Sequence, residues 1–135
     1  LNTAPDMAAV TVAVGILIDD AGRVLVTRRA PGVHQGGLWE FPGGKVEAGE
    51  TLQEALAREL GEELGVLVEA TEPLMVLEHD YGDKQVKLDV HRVMRWSGQP
   101  RGLEGQPLAW QQLEQLRDWA LPAANRPILE RLLWG

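Results

Sequence analysis

The sequence predicts an α/β (α+β) fold in which several strands and a few helices share one core. Three observations lead to this class. The 135 residues are the size of one domain with a substantial core. The 44% hydrophobic and 24% charged residues are ordinary for a globular chain. Apolar runs with strand character lie on both sides of one segment whose leucines recur at helical spacing.

Strands dominate the first third of the chain. Residues 10–18 are an apolar, β-branched run that predicts a strand, and the turn signal at residues 19–22 ends it. The elements that follow are a strand over residues 23–29, a glycine-rich loop over 30–38, a short extended segment over 39–41 and a turn over 42–44. We expect residues 1–9 to form a flexible N-terminus and residues 1–135 to form one domain.

The next segment predicts a helix over residues 51–64. Thr51 and Glu54 have the spacing of a capping box, in which each side chain accepts from the backbone N–H of the other. Gly65 fits the left-handed position that closes a helix. The apolar stripe of this helix consists of Leu52, Leu56, Leu60 and Leu64.

The second half returns to strands and ends in helices. Strands are predicted over residues 74–81 and 84–96, joined by a hairpin-type turn at Gly82 and Asp83. The remaining elements are a loop over residues 97–106, an extended segment over 108–110 and helices over 111–119 and 127–134.

Three acids crowd the last turns of the first helix. Glu59, Glu62 and Glu63 repel one another at spacings of three and four residues, near the end of the helix dipole that prefers cations. At about 100° per residue, Glu63 projects close to the leucine stripe. A hard divalent cation with oxygen ligands compensates this charge better than the single guanidinium of Arg58. The alternative is a solvated acidic face, which explains Glu54 well and Glu63 poorly.

Composition excludes several classes of function. A net charge of -7 leaves no general basic field for polymeric nucleic acid. The chain has no cysteine, so disulfides and thiolate metal sites are excluded. It shows neither an apolar run of the roughly 18 residues that a membrane span needs nor a signal-peptide pattern. We therefore expect a cytoplasmic protein without membrane or nucleic-acid partners, as a monomer or weak dimer.

A fixed pattern of residues surrounds the acidic helix. Gly44, Glu50 and the run RELGEELGV over residues 58–66 keep the residue types and spacing of a complete Nudix box. On these residues the chain resembles the Nudix hydrolase superfamily. The resemblance spans nearly all of residues 10–133 and implies a mixed β-sheet sandwiched between helices.

Segments outside the box are similar to those of MutT-type Nudix enzymes. They are VGILI near Gly15, VLVTRRA ending at Ala30, LWEFPGGKVE over residues 38–47, LEGQPLAW over 103–110 and LPAANRPIL over 121–129. The resemblance implies hydrolysis of a nucleoside triphosphate, 8-oxo-dGTP, to 8-oxo-dGMP and pyrophosphate. It also implies dependence on Mg2+, with Mn2+ as the alternative.

The same resemblance assigns roles to individual residues. The implied metal ligands are the Gly43 carbonyl, Glu59, Glu62 and Glu63, with Glu50 and Glu104 as further candidates. The implied attack of water is at the β phosphorus. Glu59 is the implied general base, with Glu104 in reserve, and Arg58 orients a carboxylate.

Substrate contacts are implied at four positions. Oxidation at C8 turns guanine N7 into an N–H donor beside the O6 acceptor, and the amide of Asn125 can accept from the first and donate to the second. The other reading of Asn125 is a cap of the last helix. Arg29 is an expected phosphate or base contact. Tyr81 and Lys84 align with a substrate-side loop, where lysine lacks the bidentate fork of arginine.

Three other readings stay open. The segment LWEFPGGKVE also resembles relatives that hydrolyse CTP, dCTP or modified pyrimidine nucleotides, and this alternative predicts no role for Asn125 in selectivity. A Nudix-fold binding module is a second alternative, although such modules commonly lack an intact box. The third is that the chain is the hydrolase part of a larger fusion protein.

Overall fold

Strands alternate with short helices in the computed structural model, which describes residues 9–33, 36–80, 82 and 84–135. The strands are β1 (Ala9–Ile16), β2 (Val24–Arg28), β3 (Trp39–Glu40), β4 (Gly43–Lys45), β5 (Leu67–Asp80), β6 (Gln85–Ser97) and β7 (Leu108–Gln111). The helices are α1 (Leu52–Leu64), α2 (Leu113–Leu116) and α3 (Arg126–Trp134), with a 3-10 turn at Ala123–Asn125 before α3.

The strands form two sheets. The larger has the order β4-β1-β6-β5, in which β1 is parallel to β6 and the other neighbouring pairs are antiparallel. The smaller is antiparallel with the order β3-β2-β7. The predicted mixed sheet is confirmed, with the addition that β2, β3 and β7 form a sheet of their own.

Helices cover both faces of the larger sheet. On β1, Ala13 packs in one buried cluster with the leucines of α1, whereas Val14 and Ile16 pack in a second cluster. That second cluster includes Ile128 and Leu129 of α3. Successive strand residues point to opposite faces, so two adjacent positions in β1 serve two separate cores. The predicted sandwich of a sheet between helices is confirmed.

Helix α1 begins and ends where its sequence predicts. Glu54 N donates to Thr51 Oγ1 at 3.1 Å, and Thr51 N donates to Glu54 Oε1 at 2.9 Å. Gly65 closes the helix in the left-handed region at φ 73° and donates to Gly61 O. Both ends depend on contacts within a few residues, so α1 is specified almost entirely by local sequence.

Three other boundaries differ from the prediction. Strand β5 begins at Leu67 rather than at residue 74 and continues through Pro73, because an edge strand tolerates proline and β5 has register shifts here. Residues 43 and 44, expected as part of a turn over 42–44, belong to β4 because Gly43 pairs with Val14 of β1. Helix α2 ends at Leu116 rather than at residue 119.

The helices of the described ranges are short. None of them is both long and apolar enough to cross a membrane.

Gly15 sets the distance between β1 and α1. A Cβ at this position would lie 3.0 Å from Leu60 Cδ1 and 3.2 Å from Leu56 Cδ1. Both leucines are fully buried, so neither has open space to move into. The helix that carries the acidic residues therefore sits close to the sheet because residue 15 has no side chain.

Replacing Gly15 with valine is expected to lower the free energy of unfolding by about 2 kcal/mol, because overpacking a full core forces side chains off their rotamers. Urea denaturation measures the change. Met94→Val, at an exposed position of β6, is the matched control and should stay within about 0.5 kcal/mol of wild type. A Gly15→Val protein as stable as wild type would contradict this account of the packing.

Candidate active site

Arg58 fastens the loop before α1 to the helix. Its Nε donates to Glu50 Oε2 at 2.7 Å and its Nη2 donates to Glu50 Oε1 at 2.9 Å, a bidentate pair. Nη2 also donates to Lys45 O at 3.0 Å, which ties β4 to the same side chain. The bonds from Arg58, joined by the backbone N–H of Glu47, lower the pKa of Glu50 to about 2. Glu50 is therefore ionised, and both of its carboxylate oxygens already accept hydrogen bonds from Arg58.

The same guanidinium reaches two of the three clustered acids. Nη1 donates to Glu59 Oε2 at 3.0 Å and to Glu62 Oε1 at the longer distance of 3.4 Å. The Glu59 side chain is only 17% exposed, whereas Glu62 is 58% exposed. Glu59 is thus held firmly at the protein surface, and Glu62 extends toward solvent.

Two glycines make room for the Glu59 carboxylate. A Cβ at Gly44 would overlap the Glu59 carboxyl group, and a Cβ at Gly43 would overlap the carbonyl oxygen of Ala13. Strand β4 therefore packs closely against both α1 and β1 because Gly43 and Gly44 have no side chains. This places Gly43, an expected metal ligand, one residue from the contact with Glu59.

Glu63 is the acid that Arg58 does not pair with in this structure. Burial, a hydrogen bond with Glu59 and repulsion from Glu59, Glu104 and Glu40 raise the pKa of Glu63 to about 9. Without a cation Glu63 is protonated at neutral pH and donates to the Glu59 carboxylate. A divalent cation would replace that proton.

Two neighbouring clefts open beside the cluster. The first, the acidic cleft, has a volume of about 220 Å³ and is lined by Thr27, Arg28, Arg29, Ala30, Val33, Glu40, Glu63, Glu104 and Gln106. The second, the apolar cleft, has a volume of about 310 Å³. Its walls are valines of β1 and β6 with Phe41, Leu88, Pro122 and Ala124, and its polar groups are Arg29, Glu40, Lys45, Lys84 and Asn125.

An ion pair forms the wall that the two clefts share. Arg29 Nη1 donates to both oxygens of Glu40, at 3.0 and 3.2 Å. Burial raises the pKa of Glu40, and the charge of Arg29 opposes that rise. The sequence prediction included Arg29 but missed Glu40. A charged residue between Trp39 and Phe41 in a two-residue strand was the available signal.

Asn125 does not cap the last helix. Its side chain makes no capping hydrogen bond to α3, although it occupies the cap position. Instead its Oδ1 accepts from Phe41 N at 3.2 Å across the apolar cleft. The capping interpretation is therefore wrong. An amide oxygen has two lone pairs, so this bond leaves Asn125 with one acceptor site and two donors.

The structure brings most of the other predicted residues together. Lys84 lines the apolar cleft with Asn125, and Glu104 lines the acidic cleft with Glu63. Gln106, which the sequence prediction missed, connects the last two: its Oε1 accepts from Glu104 N and its Nε2 donates to Glu63 O. Tyr81 lies outside the described residues.

The donor set fits a hard cation that brings its own water. Among the described residues, no three acidic or histidine side chains are already gathered as a complete metal cage. Mg2+ needs no such cage, because it is commonly held by one or two carboxylates, water and substrate phosphates. Glu59 and Glu63 are the two carboxylates in mutual contact, and this contact, together with burial, raises the pKa of Glu63.

Comparisons with known proteins agree on one family. The family model described as NUDIX domain matches residues 13–131. The 8-oxo-dGTP diphosphatase of Escherichia coli K12 is 39% identical over 126 residues, covering 93% of this chain and 98% of the relative. The CTP pyrophosphohydrolase of the same organism is 33% identical, covering 89% of each chain. A solved MutT structure, from work on Aliivibrio salmonicida and Vibrio cholerae, superposes with a TM-score of 0.82 at 33% identity, covering 93% and 97%.

Glu63→Gln is expected to stabilise the protein in the absence of metal, increasingly so as pH rises. The pKa of Glu63 is about 9 in the folded protein against an ordinary 4.5, so its stabilising contribution is complete below pH 4.5 and is lost toward pH 9. Glutamine resembles the protonated form and does not titrate.

Thermal unfolding with a chelator at pH 5 and pH 8.5 measures this difference. The control is Glu114→Gln, at an exposed position of α2. A Glu63→Gln melting temperature that shifts equally at both pH values would show that Glu63 is not protonated in the folded state.

Proposed function

The chain belongs to the NUDIX family of hydrolases, and on that premise we propose that it converts 8-oxo-dGTP to 8-oxo-dGMP and pyrophosphate. One observation carries the substrate assignment. The apolar cleft has the volume of a small-molecule site, contains the Asn125 amide, and shares a wall with the cleft that holds Glu63. A nucleotide whose base lies in the apolar cleft would extend its phosphates into the acidic cleft.

Nudix hydrolases depend on a divalent metal, and we propose Mg2+ for this chain, with Mn2+ as the alternative. The proposed ligands are Glu59, Glu62, Glu63 and the Gly43 carbonyl, with Glu104 as a further candidate. Glu50 is better suited to support, since both of its oxygens accept from Arg58. When bound, the cation neutralises phosphate charge and lowers the pKa of the attacking water.

The proposed reaction is an in-line attack of water on the β phosphorus. The water oxygen forms a bond to that phosphorus, and its proton passes to the Glu59 carboxylate, with Glu104 in reserve as the base. The bond from the β phosphorus to the bridging oxygen breaks, and the nucleoside monophosphate leaves with that oxygen. The bond from Arg58 to Glu59 keeps this carboxylate oriented while it holds the proton.

Asn125 supports selection of the oxidised base. One lone pair of its oxygen is engaged by Phe41 N, and the other can accept from the N7–H that only the oxidised guanine carries. Its NH2 can donate to O6 of the same base. Against ordinary guanine the amide oxygen would face a lone pair, an unpaired contact that costs binding. Lys84 and Arg29 line the same cleft and are the proposed contacts for the rest of the nucleotide.

The pyrimidine alternative has support from the relative named for CTP, which matches most of the chain. It places cytosine in the apolar cleft and assigns Asn125 a structural role only, through Phe41 N. The two substrates therefore differ in what the Asn125 amide must do.

We further propose that the chain acts in the cytoplasm on free nucleotides, as a monomer or weak dimer. Its lack of cysteine suits a reducing compartment. Its net charge of -7 disfavours polymeric nucleic acid as a partner.

Asn125→Leu is expected to lower the ratio of kcat/KM for 8-oxo-dGTP over dGTP by about 10²-fold. The loss stays below the ~10⁴ of fully buried polar sites because Asn125 is only partly buried. Steady-state kinetics on both nucleotides measures it.

Asn125→Asp is the control for structural damage. Its carboxylate keeps the acceptors for Phe41 N and for N7–H and loses the donor to O6, an atom that both nucleotides carry. We therefore expect kcat/KM to fall for both nucleotides while their ratio stays closer to wild type than in Asn125→Leu. Unchanged selectivity in Asn125→Leu would contradict base recognition by Asn125 and favour the pyrimidine substrate.

Glu63→Gln is expected to lower kcat by at least about 10²-fold at saturating Mg2+, because a lost anionic ligand removes several kcal/mol of charge stabilisation. The Glu114→Gln protein serves as the control and should retain wild-type turnover. Near-normal kcat in Glu63→Gln would overturn the proposed metal site.

A further inference from the structure

We infer that Arg28 binds the terminal phosphate of the substrate and makes the enzyme selective for triphosphates over diphosphates. This inference rests on the proposed function, since it assigns the part of the substrate beyond the bond that is cleaved. It concerns the last residue of β2, which is exposed.

A third cleft continues from the acidic cleft. It has a volume of about 250 Å³ and shares Arg28, Arg29 and Glu104 with the acidic cleft. Its outer part is formed by Pro31, Gly37, Gly105 and Pro107. We call it the terminal cleft. Arg28 thus stands at the junction between the two.

The order of the clefts sets the direction of the substrate. A base beside Asn125 and an α–β phosphate bond beside Glu63 already define a line from the apolar cleft to the acidic cleft. The β and γ phosphates must lie on the far side of the cleaved bond from the nucleoside. Of the described lining residues, the terminal cleft shares only Arg29 with the apolar cleft but shares Arg28, Arg29 and Glu104 with the acidic cleft, so it is the open volume for these phosphates. Its cations are Arg28 and Arg29.

Local structure holds the Arg28 side chain toward this volume. Its Nε donates to Gly37 O at 3.1 Å, which holds the guanidinium beside Gly37, a residue that lines the terminal cleft. Gly37 adopts a positive φ of 81° and donates its N–H to Arg29 O at 2.9 Å, so the loop is itself anchored to the end of β2. An exposed guanidinium in this position can offer a fork of N–H donors to a phosphate.

Charge favours such a contact. Glu40, Glu63 and Glu104 line the acidic cleft, so a polyphosphate there gains from basic groups in addition to the proposed cation. Arg29 uses Nη1 to bond both oxygens of Glu40. Arg29 is thus engaged by a carboxylate, whereas Arg28 Nε donates to a backbone carbonyl, so Arg28 is the arginine assigned to the terminal phosphate. A nucleoside diphosphate has no γ phosphate and would not gain this contact.

The test measures hydrolysis of a nucleoside triphosphate and of the matching diphosphate by Arg28→Gln. Both carry the nucleobase whose triphosphate the wild-type enzyme hydrolyses fastest. We expect kcat/KM for the triphosphate to fall about 10- to 100-fold, the range for a lost charged hydrogen bond, and for the diphosphate to change less than about threefold. Inhibition by pyrophosphate should weaken by a similar factor, while inhibition by phosphate should not. Arg23→Gln, whose arginine pairs with Asp19 away from the clefts, is the matched control.

The outcomes separate this inference from the proposed function. An equal loss with both substrates, or no loss with the triphosphate, would overturn the role of Arg28 while leaving wild-type hydrolysis intact. Arg28→Lys, which keeps the charge without the fork, should recover part of the triphosphate preference. A wild-type enzyme that hydrolyses no nucleoside triphosphate would refute the proposed function itself.

Discussion

The bidentate pair between Arg58 and Glu50 is the interaction on which the site depends. One guanidinium joins the loop before α1, the Lys45 carbonyl of β4 and the carboxylates of Glu59 and Glu62. The partners lie in β4, in the loop before α1 and in α1 itself, so the pair determines how β4 and the helix meet. Because Glu50 is kept ionised by Arg58, the pair persists across the whole neutral range. Because the pair holds α1 against β4, Glu59, Glu62 and Glu63 can lie close together although their charges repel one another.

That crowding is a cost to stability that only function explains. Glu63 is buried against Glu59 and opposed by Glu104, so in the absence of a cation it must keep a proton at neutral pH. A sequence selected only for stability would place an apolar or neutral residue here. In the proposed function, the carboxylate of Glu63 would regain its charge when a cation binds. Metal affinity would then be linked to pH through the release of one proton.

Local signals were readable from the sequence, and contacts between distant segments were not. Helix α1 was predicted to within a residue because its cap, its stripe and its closing Gly65 lie within the helix or next to it. The start of β5 was missed because Pro73 reads as a strand breaker unless the strand is known to be at an edge. The roles of Glu40 and Gln106 depend on partners in other elements, Arg29 and Glu63, which spacing does not reveal.

The resemblance to the Nudix family identified the base pocket, which residue spacing alone did not identify. Spacing indicated a cation site at Glu63, whereas the identity of the base pocket came from resemblance and is supported by the position of Asn125. The structure corrected one alternative directly, since Asn125 bonds Phe41 N rather than capping α3. Arg28 shows the reverse case: the sequence pattern assigns it no role, and its position in a cleft is visible only once the loop at Gly37 is folded against it.

The most direct test is steady-state hydrolysis of 8-oxo-dGTP beside dGTP, dCTP and CTP in Mg2+, with the water labelled with oxygen-18. The account predicts a preference of several hundredfold in kcat/KM for 8-oxo-dGTP, with the label in pyrophosphate because the β phosphorus is attacked. Label in the monophosphate would contradict the proposed reaction. A preference for a pyrimidine, or equal rates for all four, would contradict the proposed substrate.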